Sequence, residues 1–72
     1  MEYLELLQKN LAEEIDATRT YAATIAVAPM EDIPTILEIL ADETDHIALI
    51  ATLISKQTGQ DIDYKRMVPN VD

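Results

Sequence analysis

The 72-residue chain contains no cysteine, tryptophan or phenylalanine and only one glycine. Without cysteine, neither disulfides nor thiolate metal sites can reinforce the small core that a chain of this length can build. Five basic residues stand against fourteen acidic ones, and the net charge is −9. The basic residues form no cluster that could neutralise nucleic-acid phosphates. No apolar run approaches the roughly 18 residues that a membrane span needs. We therefore expect no binding to nucleic acid or to membrane.

The scarcity of glycine and proline leaves two long segments free to form helices. Apolar residues recur at three-four spacing from about residue 2 to about residue 27, and again from about 33 to about 57. Pro29 lies in the short connection and ends the first helix. Asp32 is a suitable N-cap for the second, and Gly59 a suitable left-handed C-cap. We predict an all-α protein, an antiparallel two-helix hairpin over residues 1–59, with 60–72 as a short tail or a third short helix.

Both predicted helices carry ionisable residues on their apolar stripe. Glu43 and His46 lie three residues apart and project from one face of the second helix. Glu14 lies on the stripe of the first helix, and antiparallel pairing puts it at a similar depth, within about one turn. Burying such groups unpaired costs several kcal/mol, and a metal ion is the usual partner for this combination. The apolar residues of the two stripes are Leu4, Leu7, Leu11, Ile25, Ile36, Leu40, Ile47, Ile50 and Ile54.

One hairpin supplies only half of a known ligand set. Two hairpins related by a two-fold axis would offer two Glu and two Glu-x-x-His motifs, as in the di-iron and di-manganese carboxylate bundles. Carboxylates can bridge two ions, and neutral imidazole suits iron, manganese or zinc. A single hairpin also covers only part of its apolar surface. We therefore expect a homodimer, or a higher oligomer built from dimers, that forms a four-helix bundle.

These residues resemble those of the ferritin-like superfamily, especially rubrerythrins and the short encapsulated ferritins that assemble an iron site between two hairpin subunits. Glu14 is followed seven residues later by Tyr21, which is the family spacing, and Glu43 with His46 matches its Glu-x-x-His. The resemblance covers roughly residues 3–57. It implies a ferritin-like bundle with two iron ions per dimer, held by Glu14, Glu43, His46 and their mates. Tyr21 would donate a hydrogen bond to a ligand carboxylate or be redox-active; by itself it reads equally well as a core residue.

The resemblance also implies a function, namely binding and oxidation of ferrous iron by a ferroxidase or a peroxide-reducing oxidoreductase. Manganese or zinc would suit the same ligands. The chain departs from the family in lacking cysteines for a rubredoxin-type iron centre, and residues 68–72 contain no docking peptide that we recognise for an encapsulating shell. The acidic start at Met1 and Glu2 is unlike a secretory leader, so we expect cytoplasmic residence.

Two other functions stay open at this point. The first is a metal-free hairpin module for oligomerisation or interaction, in which Glu14 pairs with His46 across a bundle core to set the register. The second is a structural zinc or manganese site that performs no turnover. The first predicts a melting temperature that is indifferent to metal and chelator, unlike that of a metalloprotein. Aerobic spectra separate the second from iron oxidation, because zinc and manganese give no ferric charge-transfer band.

Overall fold

The computed structural model describes residues 2–62, which form two long helices joined by a short connection. Helix α1 spans Tyr3–Ile25 and helix α2 spans Ile33–Thr58, with a single 3₁₀ turn at Met30–Asp32 between them. These described residues contain no strand, so the prediction of an all-α helical hairpin is confirmed. The shape measures 42 × 24 × 15 Å. Its smallest dimension is close to the diameter of one helix with its side chains, so the hairpin is a single layer.

The helix ends follow from local backbone chemistry. Helix α1 stops before Pro29, which has no amide hydrogen to continue the ladder. Helix α2 stops at Thr58 because Gly59 adopts φ 72°, and its amide donates to the Ser55 carbonyl at 2.8 Å. Asp32 directly precedes α2, but its side chain makes no capping hydrogen bond. The 3₁₀ turn runs straight into α2 and leaves Asp32 with helical backbone angles, whereas a capping side chain needs an extended backbone.

The core occupies one stripe along each helix. Leu7 and Leu11 of α1 pack against Ile47 and Ile54 of α2 in one buried cluster. Ile62 lies beyond the turn at Gly59 and packs back against this cluster. Residues 60–62 are not helical, and the rest of the predicted tail or third helix lies outside the described residues.

Among residues 2–62, Thr18 is the one polar side chain that is fully buried in the core. Thr18 is 0% exposed, and its Oγ1 donates a 2.7 Å hydrogen bond to the Ile15 carbonyl of the preceding turn. This bond satisfies the hydroxyl inside its own helix, so Thr18 needs no partner on α2. In the part of the chain that the structure covers, neither helix is both long and apolar enough to traverse a lipid bilayer.

The core stripe can be tested by comparing two aliphatic residues of α2. Ile47 is 0% exposed and Leu49 is 65% exposed. We expect Ile47→Ala to lower the free energy of unfolding by about 2–5 kcal/mol, because it leaves a cavity. Leu49→Ala should change it by less than about 0.5 kcal/mol. Urea denaturation followed by circular dichroism, at one protein concentration, measures both; equal losses would contradict this packing.

Candidate metal centre

Glu14, Glu43 and His46 come together at the centre of the hairpin. Each offers one ligand atom, and these three atoms all lie within 4.8 Å of one another. Glu14 is the middle residue of α1, and the Glu43/His46 pair brackets the middle of α2. The short connection at Pro29 places these residues at the same depth. Helix α1 ends and α2 begins at this turn, and both helices rise equally per residue, so equal numbers of residues from the turn give equal depth.

The three side chains differ in how far they reach solvent. The His46 side chain is 54% exposed and that of Glu14 is 28% exposed, with His46 Nδ1 lying 3.8 Å from Glu14 Oε2. That distance exceeds the range of a hydrogen bond. Glu14 Oε2 is itself buried and has no hydrogen-bond partner among the described residues. The cluster therefore contains an acceptor atom that is shielded from water and accepts no hydrogen bond within the described residues.

The ligand residues belong to a second stripe on each helix, beside the buried one. On α1 this stripe has three-four spacing through Glu14, and on α2 through Glu43 and His46. Because the ligand atoms converge, both stripes lie on the same side of the hairpin. We call this surface the ligand face. Its residues are Tyr3, Leu6, Asn10, Glu14, Ala17 and Tyr21 on α1 and Ile39, Glu43, His46, Ile50 and Leu53 on α2.

This arrangement refines the single stripe expected from the sequence. Glu43 and Ile50 were expected on one seam with Leu40 and Ile47, but they are only half-buried, whereas Leu40 and Ile47 are fully buried. Helix α2 has apolar residues around more than half of its circumference, so it carries two adjacent stripes. The three-four spacing that starts at Leu40 marks the buried stripe, and the one that starts at Ile39 marks the second stripe.

The two carboxyl groups of the cluster influence each other. The Glu14 carboxyl, as the acceptor for a protonated Glu43, is the largest cause that raises the pKa of Glu43 above its ordinary value of 4.5. Partial burial and the negative charge of Glu14 act in the same direction, and His46 partly opposes them. A hydrogen bond between two carboxyl groups requires one of them to hold a proton. In the absence of a cation, the folded hairpin thus retains a proton on this pair more readily than an isolated glutamate would.

The donor set and its spacing suit a divalent metal ion. Two ligand atoms at about 2.1 Å from one ion are separated by about 3.4 Å in tetrahedral coordination, and by about 3 Å (adjacent) or about 4.2 Å (opposite) in octahedral coordination. The observed separations are all within 4.8 Å, so the three groups already lie near that range. Two carboxylates and one imidazole are ligands for iron, manganese or zinc. Three protein ligands leave at least one coordination position free on any of these ions.

Tyr21 lies on the ligand face two turns after Glu14 and is half-buried. None of the side-chain hydrogen bonds within residues 2–62 involves its hydroxyl. The predicted role of Tyr21 beside the ligands stays a prediction. Ala17 and Ile39 also lie on this face and were not singled out from the sequence, because small and aliphatic residues carry no chemical signal of a site.

The raised pKa of Glu43 predicts how pH affects the metal-free protein. The folded state binds this proton more tightly than the unfolded state, so the contribution is fully present below pH 4.5 and is lost as pH rises through the folded-state pKa. We expect the unfolding free energy to fall across that window, and Glu43→Gln to flatten the fall. Glu38→Gln, at an exposed position off the ligand face, makes the same change in net charge and should retain it. Chemical denaturation in chelator at a series of pH values measures this, and identical pH profiles for the two variants would refute it.

Comparisons of the chain with protein-family models, with curated proteins and with solved structures gave no match.

Proposed function

We propose that this protein is a di-iron carboxylate protein that binds and oxidises ferrous iron at a site formed between two hairpins. The observation that carries the proposal is the convergence of Glu14, Glu43 and His46 ligand atoms within 4.8 Å, at the middle of both helices. The buried and unpartnered Glu14 Oε2 supports it, because a cation would give that atom the partner it lacks. The ferritin-like resemblance of the same residues supports it independently of the geometry.

The shape of the hairpin supports a site shared by two copies. A single layer of helices leaves the ligand face without a covering element within the described residues. Tyr3, Leu6 and Leu53 are apolar or aromatic residues of that face and are 53%, 43% and 38% exposed. A second hairpin laid on this face would bury them and bring its own Glu14, Glu43 and His46 to the centre. The result would be a four-helix bundle with two ions and the ligand set of the carboxylate-bridged class.

The residues of this chain would perform distinct tasks at such a site. Glu14 and Glu43 would hold the ions and offset their charge, and His46 would add a neutral nitrogen ligand from the exposed edge. Two ferrous ions would supply two electrons, which with two protons reduce dioxygen to hydrogen peroxide, or peroxide to two waters. Glu43, whose pKa is raised by the neighbouring Glu14 carboxyl, would release its proton as cations arrive.

The metal-free alternative has weaker geometric support. A Glu14–His46 pair that sets helix register would need a desolvated hydrogen bond, yet His46 is 54% exposed and the two atoms are 3.8 Å apart. Exposed ion pairs of this kind contribute about 0–1 kcal/mol. A structural zinc or manganese site would use the same residues. Geometry therefore does not distinguish it from an iron-oxidising site, and only the reaction with oxygen does. Aerobic absorbance separates them, since neither zinc nor manganese produces a ferric charge-transfer band.

Anaerobic titration with ferrous iron, followed by air, tests the proposal. We expect saturation near two irons per dimer and, after air, a ferric absorbance band. Glu43→Ala, Glu14→Ala and His46→Ala should each abolish saturable binding, because each removes a ligand. Glu13→Ala is the matched control, since Glu13 is an exposed glutamate next to Glu14 but off the ligand face; it should bind as wild type. A Glu43→Ala variant that also binds as wild type would defeat the proposal.

Tyr21→Phe tests the predicted role of the tyrosine hydroxyl. The substitution keeps the ring and its packing, so we expect two irons per dimer and an unchanged unfolding free energy. If the hydroxyl donates to a ligand carboxylate or gives an electron, iron oxidation should slow several-fold. Stopped-flow absorbance after mixing with oxygenated buffer measures the rate. Equal rates in Tyr21→Phe and wild type would assign Tyr21 to packing alone.

A further inference from the structure

The two helices are joined covalently at one end of the hairpin only, and side-chain contacts hold the other end together. Helix α1 begins at Tyr3 and helix α2 ends at Thr58, both at the end opposite the connection. After Gly59, residues 60–62 leave α2 without forming a further helix, and Ile62 packs back against the buried cluster. That cluster contains residues of both helices. The last described residues therefore already contribute an apolar contact to the open end of the hairpin.

A cleft lies between these last residues and α2. It has a volume of about 260 Å³ and is lined by Ala51, Thr52, Ser55, Asp61 and Ile62. We call it the C-terminal cleft. Successive residues of a helix are about 100° apart, so Leu53 and Ser55 point to opposite sides of the buried Ile54. Because Leu53 belongs to the ligand face, the C-terminal cleft lies on the other side of the buried stripe and is separate from the candidate metal centre.

The C-terminal cleft has an apolar base and a polar rim. Ala51 is 3% exposed and Ile62 is half-buried. Thr52 Oγ1 donates a 2.9 Å hydrogen bond to the preceding turn of α2 and keeps its own lone pairs as acceptors. The side chains of Ser55 and Asp61 take part in no hydrogen bond within residues 2–62. A tyrosine suits such a lining, because its ring is apolar and its hydroxyl donates.

An acidic row extends from the cleft along α2. Glu38, Asp45 and Thr52 repeat every seven residues, which is close to two turns, so they line up along one exposed side of the helix. Asp45 lies about 10 Å from Thr52 along the helix axis. Residues 63–72 hold two of the fourteen acidic and two of the five basic residues, which leaves twelve acidic against three basic in residues 1–62. This side of α2 therefore suits a segment that carries positive charge beyond the cleft.

We propose that residues 63–72 of this chain dock along this side of the hairpin, with the ring of Tyr64 in the C-terminal cleft, and so clamp the open end. Tyr64 follows Ile62 by two residues, and side chains two apart in an extended backbone point the same way. Since Ile62 faces the hairpin, an extended continuation directs Tyr64 to the hairpin as well. Its hydroxyl would donate to the polar rim, where Asp61 offers a carboxylate.

Charge and length favour this segment as the occupant. Lys65 and Arg66 follow Tyr64 directly, and two extended residues span about 7 Å. A chain that runs from the cleft towards the connection therefore brings these two cations near Asp45. The ten residues 63–72 reach at most about 33–36 Å when extended, which fits within the 42 Å length of the hairpin. The docked segment would make its contacts without reaching the ligand face.

Nuclear Overhauser contacts in the full-length chain test this docking directly. The measurement is made in chelator on isotopically labelled protein. We expect contacts from the ring protons of Tyr64 to the methyl groups of Ala51 and Thr52. Random-coil chemical shifts for residues 63–72 without such contacts would overturn the proposal. A mixture of labelled and unlabelled chains separates contacts within a chain from contacts between chains, and contacts found only between chains would also overturn it.

Substitution of Ser55 tests whether the cleft is the binding site. Ser55→Leu fills the cleft with a side chain that favours helix, so we expect the contacts of Tyr64 with Ala51 to disappear while the helical circular dichroism stays as in wild type. Ser55→Ala is the matched control at the same position. It leaves the cleft open and should retain the contacts. Persistence of the same contacts in Ser55→Leu would contradict the proposed place of the ring.

Substitution of Tyr64 tests the clamp. We expect Tyr64→Ala to lower the midpoint of thermal unfolding in chelator by about 4–8 °C, because the open end loses an aromatic contact. Val71→Ala, which shortens an apolar side chain seven residues further along the same segment, should leave the midpoint unchanged. An unchanged midpoint in Tyr64→Ala, or an equal fall in both variants, would refute the clamp.

The docking of residues 63–72 is independent of the proposed function. All of these measurements use metal-free protein, and none of the substituted residues belongs to the candidate metal centre. Failure to bind iron would leave the docking unaffected. Absence of the Tyr64 contacts would in turn leave the metal centre to its own test by titration.

Discussion

Two helices that pack side by side can bury only one stripe of each, and this constraint governs the whole molecule. Core residues occupy that stripe on both helices, and Ile47 and Leu40 on α2 are almost inaccessible to solvent. Everything else the helices carry must face outward. For an amphipathic helix with a single apolar stripe this would leave a polar exterior. Here a second apolar stripe remains partly exposed on each helix, and Glu14, Glu43 and His46 lie on it.

The chemistry of the candidate centre follows from that partial exposure. On the fully buried stripe, Glu14 and Glu43 would have lost almost all hydration, and both would hold protons strongly. On a fully exposed surface, water would separate and solvate them. At the edge of the core they are close enough to share a proton, yet the site stays open on the side of His46. The three potential ligand atoms therefore lie close together at a surface that solvent can reach.

Much of the fold could be predicted because the residues that end its helices act through their own backbone. Pro29 and Gly59 end the two helices through backbone properties that need no tertiary contact. The convergence of Glu14 with Glu43 and His46 could be predicted as well, since counting residues from a short connection gives their depth. The capping bond of Asp32 could not, because the 3₁₀ turn before α2 changes its backbone angles. The sequence also does not show which of the two α2 stripes faces α1. Both stripes have the same periodicity, and only packing distinguishes them.

The rest of the acidity acts on the site in a different way from the ligands. Asp42 and Asp45 flank the motif on α2 and are exposed, so salt screens their field within about 8–10 Å. Water and salt weaken the field of such exposed groups, so they would add little to the affinity for an ion, which depends on atoms in direct contact. They do raise the local concentration of cations around the hairpin and so accelerate encounter. If the cluster binds metal as proposed, salt should slow capture of the metal more than it weakens retention, because the ligand atoms lie at the partly buried edge of the core.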